Sequence, residues 1–323
     1  MVKFLIGADV GATNVRIGVV TPEGEILERI EYPIDSSGKA SALLEQLVSN
    51  LNDLSEQRIK RANHLIGIGV GIAGTIDLER GIVYESPNIK DLKGFRIRDF
   101  FREKISRPVV IENDANAFTL GEGWMGAAKG CQHYCGLTLG TGVGGGIVVE
   151  GRLLRGAEGL AGEVGHMVIY SEGPACGCGG RGCLEVYASG TAIRRMALEA
   201  IERGVGGGIL KWVGRDLARV TSEKVFEVAQ YGDIEAQEIF NEMGRYLGLG
   251  LVNLINLFNP ERIVIGGKVS QAWDYFIGSV TETIRERAME GPKERVEIVR
   301  ARCGDDAGIL GAAYSALSAL LVT

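Results

Sequence analysis

One short stretch, residues 163–186, concentrates the side chains that bind soft metal ions. Its sequence, EVGHMVIYSEGPACGCGGRGCLEV, holds three of the six cysteines and one of the three histidines of the chain. Cys176, Cys178, Cys183 and His166 offer three thiolates and one imidazole, a set that suits tetrahedral Zn²⁺ and leaves no position for water. We therefore predict a structural zinc site. The alternative is that these cysteines are buried or free thiols.

Two glutamates, Glu163 and Glu185, flank the predicted zinc ligands. The glycines between the cysteines allow the chain to wind tightly around one ion, which would make the stretch rigid. Two carboxylates held in place by such a stretch are suitable hydrogen-bond acceptors for sugar hydroxyls. The alternative is that both are solvated acids at the surface.

Two glycine-rich turns are candidate phosphate sites. LGTGVGG contains G-x-G-x-x-G in Gly140, Gly142 and Gly145, but the β-branched IVVEG that follows predicts a strand, whereas a Rossmann site requires a helix. Such a hairpin turn can present backbone N–H groups to an anion, or can be an ordinary tight turn. DVGAT predicts a second turn of this kind, with the Asp9 carboxylate suited to Mg²⁺ and the Thr13 hydroxyl suited to phosphate.

Two further motifs lie at predicted strand ends. In ENDANA, Asn113 and Asp114 lie where a strand meets a helix. Asp114 suits a helix N-cap, and it equally suits a general base that accepts the proton of an alcohol attacking a phosphoryl group; the two roles are compatible. In RIVIGG, Gly266 and Gly267 permit close approach of a flat ring such as adenine, although many strands end in this way.

Apolar periodicity and turn residues predict strands that alternate with helices. Strands are expected at 2–10, 14–20, 25–31, 65–72, 107–112, 133–140, 146–151, 262–267 and 295–300, and helices near 41–54, 97–105, 191–203, 222–231, 233–258, 270–288 and 306–321. The hairpin at 133–151 resembles the opening of the chain. The pattern indicates two α/β halves, each opened by a glycine-turned hairpin.

Length, composition and charge exclude several classes of function. The 323 residues, 46% of them apolar and 24% charged, are enough for two domains with cores. A net charge of -6 without a basic run argues against a nucleic-acid partner. No apolar stretch approaches the roughly 20 residues of a membrane span, and the N-terminus is too briefly apolar for a signal peptide. We therefore expect a cytoplasmic protein, in which clustered cysteines more often bind metal than form disulfides.

Taken in order, DVGAT, GIAGTID, ENDAN, LGTGVGGG, GEVGH, CGCGGRGCLE and IVIGG resemble the ROK family of sugar kinases and related repressors over almost the whole chain. The most specific part runs from Glu163 to Glu185, as E-x-G-H, nine residues and C-x-C-G-x-x-G-C-x-E. The resemblance implies an α/β, two-domain actin-like ATPase fold of the hexokinase and RNase H-like type, with an interdomain cleft. It implies a smaller N-terminal domain of residues 1–115 and 308–323, and a larger domain of residues 116–307 that carries the zinc segment.

The resemblance also implies the site residues. Asp114 would be the catalytic base, and the sugar would be bound by Gly74, Asn88, Asn113, Asp114, Glu163, His166 and Glu185. His166 would bind zinc through one ring nitrogen and face the sugar with the other. ATP and Mg²⁺ would be bound by Asp9, Gly11, Thr13, Asn14, Gly140, Thr141, Gly142, Gly144, Gly266, Gly267 and Lys268.

Two positions depart from the family pattern. Asn14 stands where the family often has lysine, and Lys268 stands where a third glycine is frequent. A cation expected near residue 14 must therefore come from elsewhere, and Lys268 is the candidate to supply it.

The resemblance implies ATP-dependent phosphorylation of the 6-hydroxyl of glucose or a related hexose, as in glycolysis. The alternatives are an N-acetylglucosamine or N-acetylmannosamine kinase and, in another class, a non-catalytic sugar-responsive regulator. Repressors of the family carry an N-terminal helix-turn-helix extension, whereas the first predicted strand here begins at Val2, which favours the kinase. A homodimer is expected because the family commonly forms one. The preferred hexose and donors other than ATP, such as polyphosphate, stay open.

Overall fold

The computed structural model describes residues 3–35, 39–60, 64–86, 89 and 91–321. Contacts between Cα atoms divide the chain into two compact units. Unit 1 contains Met1–Gln132, Gly146–Gly162 and Ala301–Thr323, and unit 2 contains His133–Gly145 and Glu163–Arg300.

Strands and helices follow one another along both units. The strands are β1 (Lys3–Val10), β2 (Asn14–Val20), β3 (Ile26–Pro33), β4 (His64–Ile72), β5 (Thr75–Asp77), β6 (Ile82–Glu85), β7 (Val109–Asn113), β8 (Tyr134–Leu139), β9 (Val143–Val149), β10 (Arg152–Leu153), β11 (Arg262–Gly266) and β12 (Glu297–Arg300). The helices are α1 (Ala40–Lys60), α2 (Ile97–Lys104), α3 (Asp114–Trp124), α4 (Glu185–Ala188), α5 (Gly190–Glu202), α6 (Gly207–Trp212), α7 (Ser222–Gln230), α8 (Ile234–Phe258), α9 (Trp273–Arg287), α10 (Pro292–Arg295) and α11 (Ala307–Leu321).

The two larger sheets have the same strand order. The first runs β3-β2-β1-β4-β7, and the second runs β10-β9-β8-β11-β12. In the first, β1, β2 and β3 are antiparallel neighbours, while β4 and β7 continue parallel to β1. In the second, β8, β11 and β12 are parallel. The resemblance between the two hairpins, predicted from sequence, thus extends to whole sheets.

Helix α11 packs directly on the first sheet because glycines leave room for its backbone. A Cβ atom at Gly7 of β1 or Gly69 of β4 would overlap carbonyl oxygens of α11. Gly121 and Gly311 allow the same close approach between α3 and α11. The first residues of α3 and α11 are thereby held near the carboxyl end of β1.

The opposite face of the first sheet is covered by α1 and α2. The α1 residues that sequence periodicity placed on one face, among them Leu44, Leu47 and Leu51, are fully buried, as is Phe101 of α2. A sheet covered on both faces explains why β4 is an almost continuous apolar run.

The predicted helices of unit 2 are present, with small shifts at their ends. Asp233 caps α8 by accepting a hydrogen bond from the Ala236 N–H at 2.9 Å, and Asn259 ends it in the left-handed conformation. The helix expected at 270–288 begins at Trp273, after a 3₁₀ turn at Lys268–Ala272. No helix of the described ranges is long and apolar enough to cross a membrane.

Sequence analysis missed the β5–β6 hairpin and the short helix α6. The hairpin is held by Asp77, which accepts hydrogen bonds from the Arg80 N–H and the Tyr84 hydroxyl. Neither element has the apolar periodicity of a longer one. The domain boundary expected at residue 115 also differs from the boundaries of the units, because α3 packs on α11 and lies in unit 1.

A buried carboxylate joins the end of α3 to the chain where it re-enters unit 1. Glu122 is fully buried and accepts hydrogen bonds from the N–H groups of Ala127 at 2.7 Å, Arg302 at 3.0 Å and Cys303 at 2.7 Å. One carboxylate thus satisfies three backbone donors from two distant segments of the chain.

We expect Glu122→Gln to destabilise the protein by about 2 kcal/mol, because the amide that replaces one oxygen cannot accept from these donors. Thermal unfolding of the variant checks this against Glu103→Gln, an exposed glutamate of α2. Equal melting temperatures for the two variants would contradict the assigned role of Glu122.

Candidate active site

Asp114 is the first residue of α3, and Asn113 is its N-cap. The Asn113 side chain accepts a hydrogen bond from the Asn116 N–H at 3.0 Å. The prediction that Asp114 caps this helix was therefore wrong, because the residue in extended conformation is Asn113. The Asp114 carboxylate lies in the first turn, where the helix dipole favours an anion.

The Asn113 amide group links two predicted site residues. Its Nδ2 donates to the Gly74 carbonyl at 3.0 Å and to the Asp114 carboxylate at 3.2 Å. Gly74 has a φ of 137° and no space for a Cβ atom beside Glu85, so glycine is required there. Gly74, Asn113 and Asp114 thus form one cluster. Asn88, predicted with them, lies outside the described residues.

Asp9 lies at the end of β1, close to Asp114 and to the first turn of α11. A Cβ atom on Gly308 would lie 2.5 Å from the Asp9 carboxyl carbon, so this glycine makes room for the carboxylate. Burial raises the pKa of Asp9 to about 7, and the negative charge of Asp114 adds to the rise. A carboxylate held beside a second one, at a helix N-terminus, is suited to a cation that also binds phosphate.

The β1–β2 turn carries Gly11, Thr13 and Asn14. The Gly11 N–H donates to the Asn14 carbonyl at 3.1 Å, which closes the turn. Asn14 donates its side-chain amide to Glu31 at 2.9 Å. The neutral residue at the position where the family often has lysine is therefore held by a carboxylate of β3.

Arg16 is a charged group of this region that sequence analysis missed. Its guanidinium lies 3.8 Å from Asp9, 3.2 Å from Glu31 and 3.5 Å from Asp305. Arg16 pairs directly with Asp9 across the hairpin, and it shares a strand face with Asn14 two residues before. The register of the hairpin could have shown it, because directly opposed residues lie on the same face.

In unit 2, Gly140, Thr141 and Gly142 form the turn between β8 and β9. The Gly140 N–H donates to the Gly142 carbonyl at 3.0 Å, and Gly144 follows within β9. Gly266 ends β11, and Gly267 follows with a φ of 84° in close contact with Leu139. Because β8 and β11 are parallel neighbours, both glycine segments lie at the carboxyl ends of these strands, together with exposed Lys268.

The four predicted metal ligands converge. The ligand atoms of His166, Cys176, Cys178 and Cys183 all lie within 4.8 Å of one another. The Cys176 sulfur lies 3.6 Å from His166 Nδ1, and the sulfurs of Cys178 and Cys183 lie 3.7 Å apart. Around a tetrahedral Zn²⁺ with the usual bond lengths, neighbouring ligand atoms lie about 3.5–3.8 Å apart, so this arrangement fits the ion.

Glycines and short backbone contacts wind the chain around this cluster. The Cys176 N–H donates to the Gly180 carbonyl at 2.9 Å, and the Gly179 N–H donates to the Cys176 carbonyl at 3.0 Å. Gly182 has a φ of 68° and contacts the Tyr170 carbonyl, which excludes any Cβ atom. The fold of the loop thus explains the glycine-rich spacing of the cysteines.

Glu163 lies close enough to His166 and Glu185 for both groups to affect its pKa, which is raised overall. Burial raises the pKa of Glu163, His166 lowers it, and Glu185 raises it. Glu185 begins α4 and accepts a hydrogen bond from the Val143 N–H at 3.0 Å, directly after the glycine turn. Its other oxygen lies 3.8 Å from the Cys176 sulfur. Glu185 therefore contacts both the metal-ligand cluster and the glycine turn.

Comparison with known proteins identifies relatives over nearly the whole chain. The family model described as ROK family matches residues 5–319. The chain is 35% identical over 313 residues to a glucokinase of Halalkalibacterium halodurans, covering 97% of this chain and 94% of that one. It is 32% identical over 324 residues to a xylose repressor of Caldicellulosiruptor bescii, covering 99% of this chain and 79% of that one.

The fold is similar to that of a ROK family glucokinase from Streptomyces griseus, solved in complex with glucose and AMPPNP. The TM-score is 0.82 at 33% identity, and the match covers 98% of this chain and 99% of that one. The predicted fold class, an α/β actin-like fold of the hexokinase type, is therefore confirmed. The chain belongs to the ROK family.

Proposed function

We propose that this chain is an ATP-dependent sugar kinase that phosphorylates the 6-hydroxyl of glucose or a related hexose. The observation that carries the proposal is the placement of Asp114, in the first turn of α3 and hydrogen-bonded to Asn113. The similarity to glucokinases over nearly the whole chain supports it.

Asp114 accepts the proton of the sugar hydroxyl as its oxygen attacks the γ-phosphorus of ATP. The bond from phosphorus to the bridging oxygen then breaks, and ADP leaves. Burial and the negative charge of Asp114 raise the pKa of Asp9. Its carboxylate would therefore be a strong ligand for a cation. Mg²⁺ would be held on the Asp9 side of the turn, where it would neutralise phosphate charge.

The phosphates are bound by the backbone N–H groups of residues 12–13 and 141–142 in the two glycine turns, because those of Gly11 and Gly140 donate within their own turns. Arg16 supports the first turn by compensating the charge of Asp9. The space beside Gly140 is open, so the absence of a side chain there lets an anion approach the backbone. Gly266 and Gly267 are assigned to the nucleotide base from the resemblance, with exposed Lys268 beside them.

From the resemblance, we assign the binding of sugar hydroxyls to Asn113, Glu163, His166 and Glu185. Nδ1 of His166 faces the Cys176 sulfur, so Nε2 is the ring nitrogen left for the sugar. We assign Zn²⁺ to the Cys₃His cluster, whose four ligands would leave no position for water, so that the ion would act by holding the loop. A homodimer in the cytoplasm, acting in glycolysis, remains our expectation from the resemblance.

A sugar-responsive regulator is the second candidate, because the chain is also similar to a xylose repressor. ATP consumption with glucose separates the two. Turnover supports the kinase, whereas sugar binding without turnover of any hexose supports the regulator. A panel of glucose, mannose, fructose, N-acetylglucosamine and N-acetylmannosamine then identifies the preferred substrate and tests the N-acetylhexosamine kinase alternative.

We expect Asp114→Asn to lower kcat by about 10²-fold or more, the usual contribution of a general base. Sugar binding and the melting temperature should change little, because Asn113 remains the N-cap of α3. Steady-state kinetics and calorimetric sugar titration check this, with Asp53→Asn on the exposed face of α1 as the control. A variant with near wild-type kcat would mean that another group is the base.

Lys268→Ala should raise the KM for ATP about fivefold or more and leave the KM for sugar within twofold, since a single charged contact contributes on the order of 1 kcal/mol. Lys211→Ala, at an exposed lysine of α6, is the matched control. An unchanged KM for ATP would remove Lys268 from the nucleotide site.

Cys178→Ala should reduce the zinc content, the melting temperature and the sugar affinity together, because metal binding at a closed site contributes folding free energy. ATP affinity should fall less than sugar affinity, since the first glycine turn lies in unit 1. Metal analysis, thermal unfolding and both ligand titrations check this, with Cys131→Ala as the control. Zinc loss without any loss of sugar affinity would separate the loop from the sugar site.

A further inference from the structure

Glu112 places a carboxylate in the core of unit 1, directly before Asn113 and Asp114. It is the fourth residue of β7 and is fully buried. Burying a charge is unfavourable unless polar groups and an opposite charge surround it. The partners of Glu112 therefore indicate what the carboxylate does in this position.

One carboxylate oxygen of Glu112 holds both residues that surround Asp114. Oε1 accepts a hydrogen bond from the Asn113 N–H at 3.1 Å and another from Nδ2 of buried Asn116 at 3.1 Å. Asn113 in turn donates to the Asp114 carboxylate, and its side-chain oxygen accepts from the Asn116 N–H. A short chain of hydrogen bonds thus runs from Glu112 to Asp114.

The other oxygen of Glu112 faces a cation. Nη2 of Arg155 lies 2.7 Å from Oε2. Arg155 follows β10 and has a side chain that is 42% exposed, whereas the Glu112 side chain is 0% exposed. The exposed guanidinium therefore compensates a charge that water does not reach.

The segment that carries Arg155 is also held by contacts that do not involve its side chain. The Leu154 N–H donates to the Ile147 carbonyl at 2.7 Å, and the Leu78 N–H donates to the Glu158 carbonyl at 3.3 Å. Gly159 packs closely on the Leu78 side chain. The Arg155 guanidinium is therefore one of several groups that hold this loop in place. Its distinct contribution is the positive charge that lies beside the Glu112 carboxylate.

We propose that Glu112 and Arg155 are a positioning pair for the base Asp114. This rests on the proposed kinase function. With Arg155 in place, a guanidinium faces the buried carboxylate, which keeps both Asn113 and Asn116 in the orientation that fixes Asp114. Without Arg155, the carboxylate is left uncompensated beside Asp114, and its two donors are free to rearrange.

The test uses Arg155→Met, Glu112→Gln and the double variant, with Arg152→Met on exposed β10 as the control. Arg155→Met should lower kcat about tenfold or more, because small displacements of a reacting group are costly. The KM for ATP should stay within twofold. Glu112→Gln removes the charge but keeps an acceptor oxygen, so adding it to Arg155→Met should recover most of the lost kcat. Arg155→Lys should retain most of the activity.

The kcat values of these variants either support or overturn the positioning pair. Recovery of kcat in the double variant supports the pair, since a purely stabilising ion pair would change the melting temperature without this reversal. If Arg155→Met has the kcat of the Arg152→Met control, or if the two losses multiply, the pair is overturned while the kinase function stands. A wild-type protein that phosphorylates no sugar overturns the proposed function and the pair together.

A second comparison applies if Arg155→Met does not fold, as judged by circular dichroism. Glu112→Ala removes the acceptor for Asn113 and Asn116, whereas Glu112→Gln retains it. The alanine variant should then lose at least about tenfold more kcat than the glutamine variant. Equal kcat values for these two variants would overturn the proposal.

Discussion

The placement of the candidate catalytic groups in unit 1 depends on direct backbone contact between α11, the first sheet and α3. Four glycines, at positions 7, 69, 121 and 311, make this contact possible, because any side chain there would overlap a carbonyl oxygen or backbone atom. Such contact has little freedom to shift, since packed interiors tolerate almost no change in spacing. Asp9 and Asp114, on separate elements, therefore come to lie close enough for the charge of Asp114 to raise the pKa of Asp9.

Buried carboxylates complete this arrangement by binding backbone donors. Glu122 satisfies N–H groups at the end of α3 and in the segment that re-enters unit 1, and Glu112 satisfies groups at the start of α3. Both ends of one helix are thus held by fully buried acids. Such groups are expensive to bury, so their partners must be retained, and this favours one arrangement of the chain over competing ones.

In unit 2, Glu185 has a comparable role for the other half of the candidate site. It joins the glycine turn before Val143 to the loop that holds Cys176. Gly142 is required beside it, because a Cβ atom would overlap the carboxylate. A residue assigned from sequence only to sugar binding thus also ties the metal-ligand loop to a proposed phosphate-binding turn. The loop and the turn are thus linked through one carboxylate.

The sequence by itself determined what local spacing encodes. The Cys₃His ligand set, the glycine-turned hairpins and the strand-to-helix junction at Asp114 all follow from residues close together in the chain, and so does the pattern of strands and helices. Tertiary structure decided the contacts between distant residues: Glu185 with Val143 across 42 positions, Glu122 with Arg302 across 180, and Glu112 with Arg155. It also decided that Asn113 rather than Asp114 caps α3, because capping depends on backbone angles that neighbouring residue types leave open. The partner of a buried charge depends on which residues pack against it in the folded chain. Local spacing in the sequence therefore does not identify it.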